Sequence, residues 1–398
     1  MEINTTPKKV EEVLTRGVEQ IIGKENLIKR LTSGKKLRIK LGIDPTSPIL
    51  HLGNAIPIWK LRQFQDLGHH IILIVGDFTA RIGDASDKTA PRQPLTKKEI
   101  ENNLKTYKNQ IGKILNLKRT EFVYNSSWLK KLTFEEIIKL ASQFTVAQMI
   151  ERENFTARYR AGKPIGLQEF LYPLMQGYDS VAIRADVEIG GTDQTFNMLA
   201  GRAIQKVYNQ KPQNIVTLTL IEGTDGQKMS KSLGNVIGIT DNHNEIFGKI
   251  MSMDDSLIIK YFTLCTQLPL QKIEKIKKYL KSRELNPRDA KAELAYEIVA
   301  LYHGNKIARR AGEEFNKVFK EKKMPSRIPE VKIKEKRLNI LEMLVKAKLV
   351  SSKSEAKRLI LQKGVRINGG VETDWKRTLE IKKGLIVQVG KRKFAKAV

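Results

Sequence analysis

Cysteine occurs once in this 398-residue chain, at Cys265, which excludes an intramolecular disulfide framework and a thiolate-clustered metal site. Histidine is nearly as scarce, with five residues, and His69, His70, His243 and His303 are not spaced as metal ligands, so they read as structural or surface groups. Proline is limited to 13 residues while 40% of the chain is hydrophobic, which excludes a disordered basic tail. Apolar runs stop at strand length, as in Ile71–Val75, far short of the roughly 20 residues a membrane-spanning helix needs. The opening Met-Glu-Ile-Asn-Thr-Thr is too acidic and too polar for a signal or transit segment, so the expectation is a cytoplasmic protein. No Gly-Lys-Ser or Gly-Lys-Thr occurs, which removes a P-loop nucleotide site. Acidic residues are also in deficit, 43 against 72 Lys+Arg. The resulting formal charge of +29 points to a polyanionic partner, nucleic acid first and an anionic membrane surface second.

The excess charge is unevenly placed. From Val331 to Val398 there are 19 Lys+Arg and 6 acidic residues, a net of +13 in 68 positions. The stretch Met324–Pro329, with two prolines, reads as a linker into this tail. The first half alternates element types: a strand at 37–43, a helix-spaced stretch from His51 to Leu67 with Gly68 as its C-cap, an apolar strand at 70–75, and a long helix from about Lys97 to Leu115. Strand–helix alternation of this kind predicts an α/β fold with a Rossmann-type parallel sheet. Residues from about 117 to 173 read as a mostly helical insertion with exposed charges such as Glu151-Arg-Glu153, after which helix and strand resume. Beyond Thr240 the text becomes helical and basic. The expected division is therefore 1–240, then a helical domain over 241–325, then a small α+β domain over 331–398.

In that last segment Arg337–Lys348 has an amphipathic helical pattern, and Ser352-x-x-Glu355 is a capping box that opens a second helix through Leu361. Gly364–Gly370 reads as strand and turn, and 385–389 as a further strand. Lys353, Lys357, Arg358, Lys363 and Arg366 cluster into a basic face suited to RNA phosphates.

Two short motifs suggest nucleotide chemistry. His51-Leu-Gly-Asn54 opens a helix directly after a strand and turn, and places two polar side chains at the end of the helix that attracts phosphate through its free N–H groups. Gly53 allows close approach to the backbone. Lys228-Met-Ser-Lys-Ser232, announced by Gly223-Thr-Asp-Gly226, puts two lysines three apart on a glycine-hinged loop, which suits transient grip on a triphosphate. Alone, the first is weak evidence beside an ordinary helix cap, and a solvated basic turn is the commoner fate of a sequence such as the second.

Together they resemble the signature pair of class I aminoacyl-tRNA synthetases. The surrounding text, Gly42-Ile-Asp-Pro-Thr46, Gly83-Asp-Ala-Ser-Asp-Lys88, Tyr172-Pro-Leu-Met-Gln-Gly-Tyr-Asp179 and Gly190-Gly-Thr-Asp-Gln194, looks like that of the bacterial tyrosyl-tRNA synthetases, and the tail is similar to their S4 RNA-binding domain. The resemblance covers nearly the whole chain and implies a catalytic α/β domain, a helical anticodon-binding domain and an S4-like domain. It also implies ATP-dependent activation of L-tyrosine followed by transfer to the terminal adenosine of tRNA(Tyr), and a homodimer with the inserted helices as its contact. Mg²⁺ would enter with ATP, since the sequence offers no carboxylate cage for a resident metal.

Carried over residue by residue, the resemblance assigns Asp84, Tyr172 and Gln176 to the substrate α-ammonium, Asp179 to its phenol and Gln194 to the neighbourhood of its carboxylate. Asp193 would hold the ATP ribose, Asp44 and Thr46 would border the site, Thr46 near the phosphates, His51, Gly53 and Asn54 would meet the nucleotide, and Lys88, Arg92, Lys228 and Lys231 would surround the pyrophosphate, with Met229 and Ser230 in the same loop. A carboxylate, a phenol and an amide carbonyl are apt acceptors for an ammonium group. Two departures stand out. Lys40 occupies the position where the family commonly has a tyrosine as second partner of the substrate hydroxyl, and Ala85 replaces a common proline. The rival readings are a tryptophanyl-tRNA synthetase, an RNA-binding regulator on the same fold, and a small-molecule adenylyltransferase. Tyr172, Gln176, Asp179 and the tail speak against the first, the two lysine loops against the second, and the basic tail against the third.

Overall fold

Short apolar stretches at regular intervals build the sheet that carries everything else in the larger part of the chain. Numbered along the chain they are β1 (Val18–Ile22), β2 (Arg38–Ile43), β3 (His70–Val75), β4 (Thr120–Tyr124), β5 (Val187–Gly191) and β6 (Asn214–Leu218). They form one sheet in the order β1-β6-β5-β2-β3-β4, parallel except for β1, which runs antiparallel to β6 at the edge. Ile71–Val75 and all of β6 are buried, as expected of parallel strands covered on both faces. The chain leaves β2 toward β3 and β4, and leaves β5 toward β6, so the order reverses between β2 and β5. In open α/β sheets the crevice at the carboxyl ends of such a pair is where ligands bind.

The computed structural model describes residues 2–84, 95–229, 234–319, 328–333, 335–390 and 393–398. They fall into two compact units, 1–308 and 309–398, each described by itself. In the larger unit the helices Leu52–Asp66, Lys97–Ile111 and Thr195–Val207 are the crossovers of β2–β3, β3–β4 and β5–β6. The helical insertion starts later than expected. Thr120–Tyr124 pairs with β3 as a parallel edge strand, and the helical text begins only at Ser126. Its half-exposed burial pattern explains why the stretch lacks the apolar run that marks the inner strands. The last insertion helix, Leu167–Ala182, packs against Thr195–Val207, and Gly177 permits the contact: a methyl group there would lie 2.7 Å from Ile204 Cδ1 and 3.1 Å from the Gly201 nitrogen. Beyond 240 come the helices His243–Met251, Ile258–Cys265, Leu270–Ser282 and Pro287–His303.

The smaller unit carries β7 (Glu330–Val331), β8 (Arg337–Asn339), β9 (Val365–Ile367), β10 (Gly370–Glu372), β11 (Thr378–Glu380), β12 (Ile386–Val389) and β13 (Lys393–Ala397). Five of them form a sheet in the order β10-β9-β12-β13-β7, and β11 pairs with β8. The helices Ile340–Lys346 and Lys353–Leu361 bury Ile340, Met343, Leu344, Ala356 and Ile360 in a core shared with Val365 and Val387. The expected helix from Arg337 loses its first three residues to β8. Asn339 caps the shortened helix through a side chain that accepts from the Leu341 N–H, a stop to the strand and a start to the helix in one residue. Asn368 and Gly369 both have positive φ between β9 and β10, the requirement of a tight hairpin turn.

Candidate active site

The ends of β2, β3, β5 and β6 surround one cavity of about 740 Å³. Asp44 and Thr46 follow β2, Gly76 follows β3, Asp193 and Gln194 follow β5, and Thr219–Ile221 follow β6, and all of them line it. Tyr172, Gln176 and Asp179 reach the same space from one face of the Leu167–Ala182 helix, consistent with their i, i+4, i+7 spacing. His51, Gly53, Asn54, Asp84, Lys228 and Met229 complete the set.

The nucleotide-like end is built on a helix N-terminus. His51 caps Leu52–Asp66: its Nδ1 accepts the Asn54 N–H at 3.4 Å, and Asn54 Oδ1 accepts the His51 N–H at 3.2 Å. The two readings of this motif therefore coexist, since both residues cap the helix and face the cavity. Gly53 is hemmed in, for a methyl group there would lie 3.1 Å from the His51 ring and 3.3 Å from Met229 Sδ. Lys228 is exposed at the mouth, and Asn235 Nδ2 holds its carbonyl at 3.0 Å.

The opposite end is a buried polar network. Asp179 accepts from Trp128 Nε1 at 2.7 Å and from Asn125 Nδ2 at 3.4 Å. Burial pushes its carboxyl up to about 7, although Lys40 and these two donors pull it down. The Tyr172 hydroxyl donates to Asp44 Oδ2 at 2.8 Å, while Thr79 Oγ1 donates to Oδ1 at 2.7 Å. Burial and the charges of Asp44 and Asp84 hold the Tyr172 phenol well above its ordinary value, so it stays a donor. Gln176 donates to Glu188 and accepts from Asn197, each at 3.1 Å, and Asn197 also donates to Gln194 at 3.0 Å. Gln194 in turn donates to Asp84 at 2.7 Å, and Arg152 lies 3.9 Å from the other Asp84 oxygen.

Lys88, Arg92, Ser230 and Lys231 lie outside the described residues. Lys353, Lys357, Arg358, Lys363 and Arg366 are exposed in the smaller unit. Lys353 pairs with Glu342 at 2.7 Å, and the Lys357 ammonium sits 4.1 Å from the Trp375 ring centroid.

Sequence reasoning missed several site residues. Arg152 was expected among exposed insertion charges, yet it is buried beside Asp84, with its guanidinium over the Phe155 and Phe196 rings. Asn125 and Trp128 sit where β4 runs into the Ser126–Leu129 helix, a junction hidden by the misplaced insertion boundary. Glu188 had a visible mark: a carboxylate inside a buried strand, paired in register with Lys40 of the neighbouring strand.

A sequence profile described as "tRNA synthetases class I (W and Y)" matches residues 32–320, and one for a "Tyrosine--tRNA ligase SYY-like C-terminal domain" matches 320–396. The chain is 51% identical over 390 residues to a tyrosine–tRNA ligase of Thermotoga maritima, covering 98% of this chain and 97% of the relative. It is 46% identical to that of Aquifex aeolicus, covering 99% of each. Among solved structures, the fold is similar to a tyrosyl-tRNA synthetase of Archaeoglobus fulgidus complexed with L-tyrosine (TM-score 0.63, 23% identity, 77% of this chain and 98% of that one). With both profiles and near-complete relatives in agreement, the chain belongs to the tyrosine–tRNA ligase family of class I tRNA synthetases.

Proposed function

We propose that this cavity activates tyrosine and that the residues gathered there divide the work as follows. The activity itself is the family's: ATP-dependent formation of tyrosyl-adenylate and transfer of the tyrosyl group to tRNA. The observation that carries the assignment of roles is the meeting, in one cavity at the strand-order reversal, of a helix N-terminus with a buried carboxylate held by two N–H donors. The tyrosine carboxylate attacks the α-phosphorus in line and pyrophosphate leaves, so no covalent enzyme intermediate is needed and the protein positions groups and stabilises charge. Asp84, Tyr172 and Gln176 take the ammonium, Asp179 takes the phenol and Gln194 lies by the carboxylate. Asp193 takes the ribose. Asp44 borders the nucleotide site, Thr46, His51, Gly53, Asn54 and Met229 lie by the triphosphate, and Lys228 is joined there by Ser230, Lys231, Lys88 and Arg92. Mg²⁺ arrives with ATP as the counter-ion of its phosphates.

The tail residues Lys353, Lys357, Arg358, Lys363 and Arg366 meet tRNA phosphates. The modules are a catalytic part over 1–240, a helical anticodon-binding part over 241–325 and an RNA-binding part over 331–398. The exposed apolar side chains Phe134, Ile138, Val146 and Leu167, the last 81% exposed, all lie on insertion helices and suit a homodimer contact. No helix among the described residues is long and apolar enough to cross a membrane, and cytoplasm is the proposed location.

Amino-acid-dependent exchange of pyrophosphate into ATP tests the assignment. Exchange is expected with tyrosine, and Asp179→Ala should raise the KM for tyrosine while leaving that for ATP near wild type. Tyrosine KM unchanged in Asp179→Ala would refute the phenol-pocket assignment.

A further inference from the structure

Two charged side chains at the tyrosine end of the cavity, Glu188 in its lining and Lys40 beside it, have no place in the roles above. Lys40 on β2 is 0% exposed and Glu188 on β5 is 1% exposed. Their strands are neighbours and the two residues are in register, with Lys40 Nζ 3.0 Å from Glu188 Oε1. The ammonium has three protons and three acceptors: Glu188, the Gln176 carbonyl at 2.9 Å and Ser180 Oγ at 2.8 Å. Glu188 collects the remaining donors, Gln176 Nε2 at 3.1 Å, Ser180 Oγ at 3.2 Å and Gln213 Nε2.

The pair is poised to act on the substrate-facing residues in two ways. An ionised carboxylate is acceptor-only, so Glu188 fixes which end of the Gln176 amide turns toward it. The carbonyl end is left toward Asn197 and, through Asn197 and Gln194, is tied to Asp84. The second action is electrostatic. Asp179 is buried, and the charged and titratable groups bearing on it are Lys40 from β2, Glu188 from β5 and Tyr172 from its own helix, with Trp128 and Asn125 as neutral donors. Lys40 favours the ionised carboxylate and Glu188 opposes it.

We infer that Lys40 and Glu188 are positioning residues for tyrosine recognition: Glu188 sets the orientation of Gln176, and Lys40, bonded to the Gln176 carbonyl and to Ser180 Oγ on either side of Asp179 in the same helix, sets a buried positive charge beside the turn whose carboxylate accepts the substrate hydroxyl. Lys40 then acts on the phenol pocket through its charge, without touching the hydroxyl. The inference rests on the assignment of Asp179 to the phenol made above. An acceptor-only carboxylate admits a hydroxyl as a further donor beside Trp128 and Asn125, a bond that phenylalanine cannot supply.

The test is the pH profile of KM for tyrosine between about pH 5.5 and 9, measured by pyrophosphate exchange with KM for ATP as internal control, in wild type, Lys40→Met, Glu188→Gln and the double variant. Lys40→Met strips the cation from two buried carboxylates, so its acid limb should move alkaline by a pH unit or more, which is roughly tenfold in KM at a fixed pH on that limb. Glu188→Gln should move the limb the other way, because it removes the charge that opposes ionisation. The double variant should return toward wild type, with KM for ATP little changed throughout. A merely structural role would weaken both single variants in the same direction without an opposed shift of the profile. Should Lys40→Met fail to fold, Glu188→Gln and the double variant still carry the sign. Coincident profiles for all four proteins, or shifts of the same sign, overturn the inference. Asp179→Ala separates the two levels: unchanged tyrosine KM there removes the phenol assignment and the inference with it, whereas loss of tyrosine use there with coincident Lys40 and Glu188 profiles removes the inference alone.

Discussion

Asp179→Asn is expected to gain stability and lose activity, and the pH dependence of the gain is calculable. Burial raises the folded-state carboxyl from its ordinary 3.8 to about 7. A raised acid contributes stability that is fully present below pH 3.8 and is lost as pH rises through 7. At roughly 1.4 kcal/mol per unit, the ionised carboxylate costs the fold about 4 kcal/mol above pH 7. Asparagine keeps the size and removes the charge. It also turns an amide N–H₂ toward a site already furnished with N–H donors from Trp128 and Asn125, which costs about 1–3 kcal/mol at every pH. That offset cancels when two pH values are compared, as do all other titrating groups common to both proteins. The stability of the variant relative to wild type should therefore grow by roughly 3 kcal/mol between pH 5 and pH 8.5. Urea unfolding followed by tryptophan fluorescence reads this, since Trp128 donates to the altered group. In parallel, KM for tyrosine should rise by about 10- to 100-fold, the worth of a hydrogen bond to a charged acceptor. A stability difference independent of pH would show that Asp179 does not titrate as its burial demands.

Two further substitutions probe the frame that holds these groups. Arg158→Met removes the partner that meets Glu169 through two bonds of 2.6 and 2.8 Å with both side chains buried; denaturant unfolding should show a loss of about 3–5 kcal/mol, and a loss below 1 kcal/mol would mean that the pair opens to water. Gly177→Ala should lower stability by about 1–3 kcal/mol because its methyl meets Ile204 and the Gly201 backbone, whereas Gly248→Ala, in a helix with nothing within 4 Å of the new methyl, should be neutral or stabilising in the same melting experiment.

The parallel sheet was legible because its inner strands are apolar runs and its crossovers carry helical spacing; His70–Val75 and Leu52–Asp66 fall within a residue of where the pattern puts them. Thr120–Tyr124 was not, because an edge strand needs only one apolar face and its half-exposed pattern looks like the helical text around it. Arg337–Asn339 failed for a different reason: three residues of strand carry no period of their own, and β11, which pairs with them, lies 40 residues on. At the site, cavity-lining residues announced themselves through motif spacing. Asn125, Trp128, Arg152 and Asn197 act mainly through bonds and contacts to residues distant in the sequence, which leave no local pattern.

Lys40 and Glu188 are the exception among residues of this kind, and energetics explain why they stand out. Burying an ion pair seldom stabilises a fold, since the desolvation of both charges can outweigh their attraction, and apolar pairs of similar volume in such positions are often neutral or better by about 1–4 kcal/mol. Interior strands of a parallel sheet are where apolar residues serve the fold best, and the neighbours Ile39, Leu41, Val187 and Ile189 follow that rule. A lysine and a glutamate facing each other there contribute little that leucine or methionine would not. What an apolar pair lacks is a directed acceptor for Gln176 and a positive charge near Asp179. On the roles proposed above, the departure from the apolar pattern, readable in the sequence as one charge in each of two buried strands, is where the fold gives up stability to hold a charge distribution that discriminates a phenol from a benzene ring.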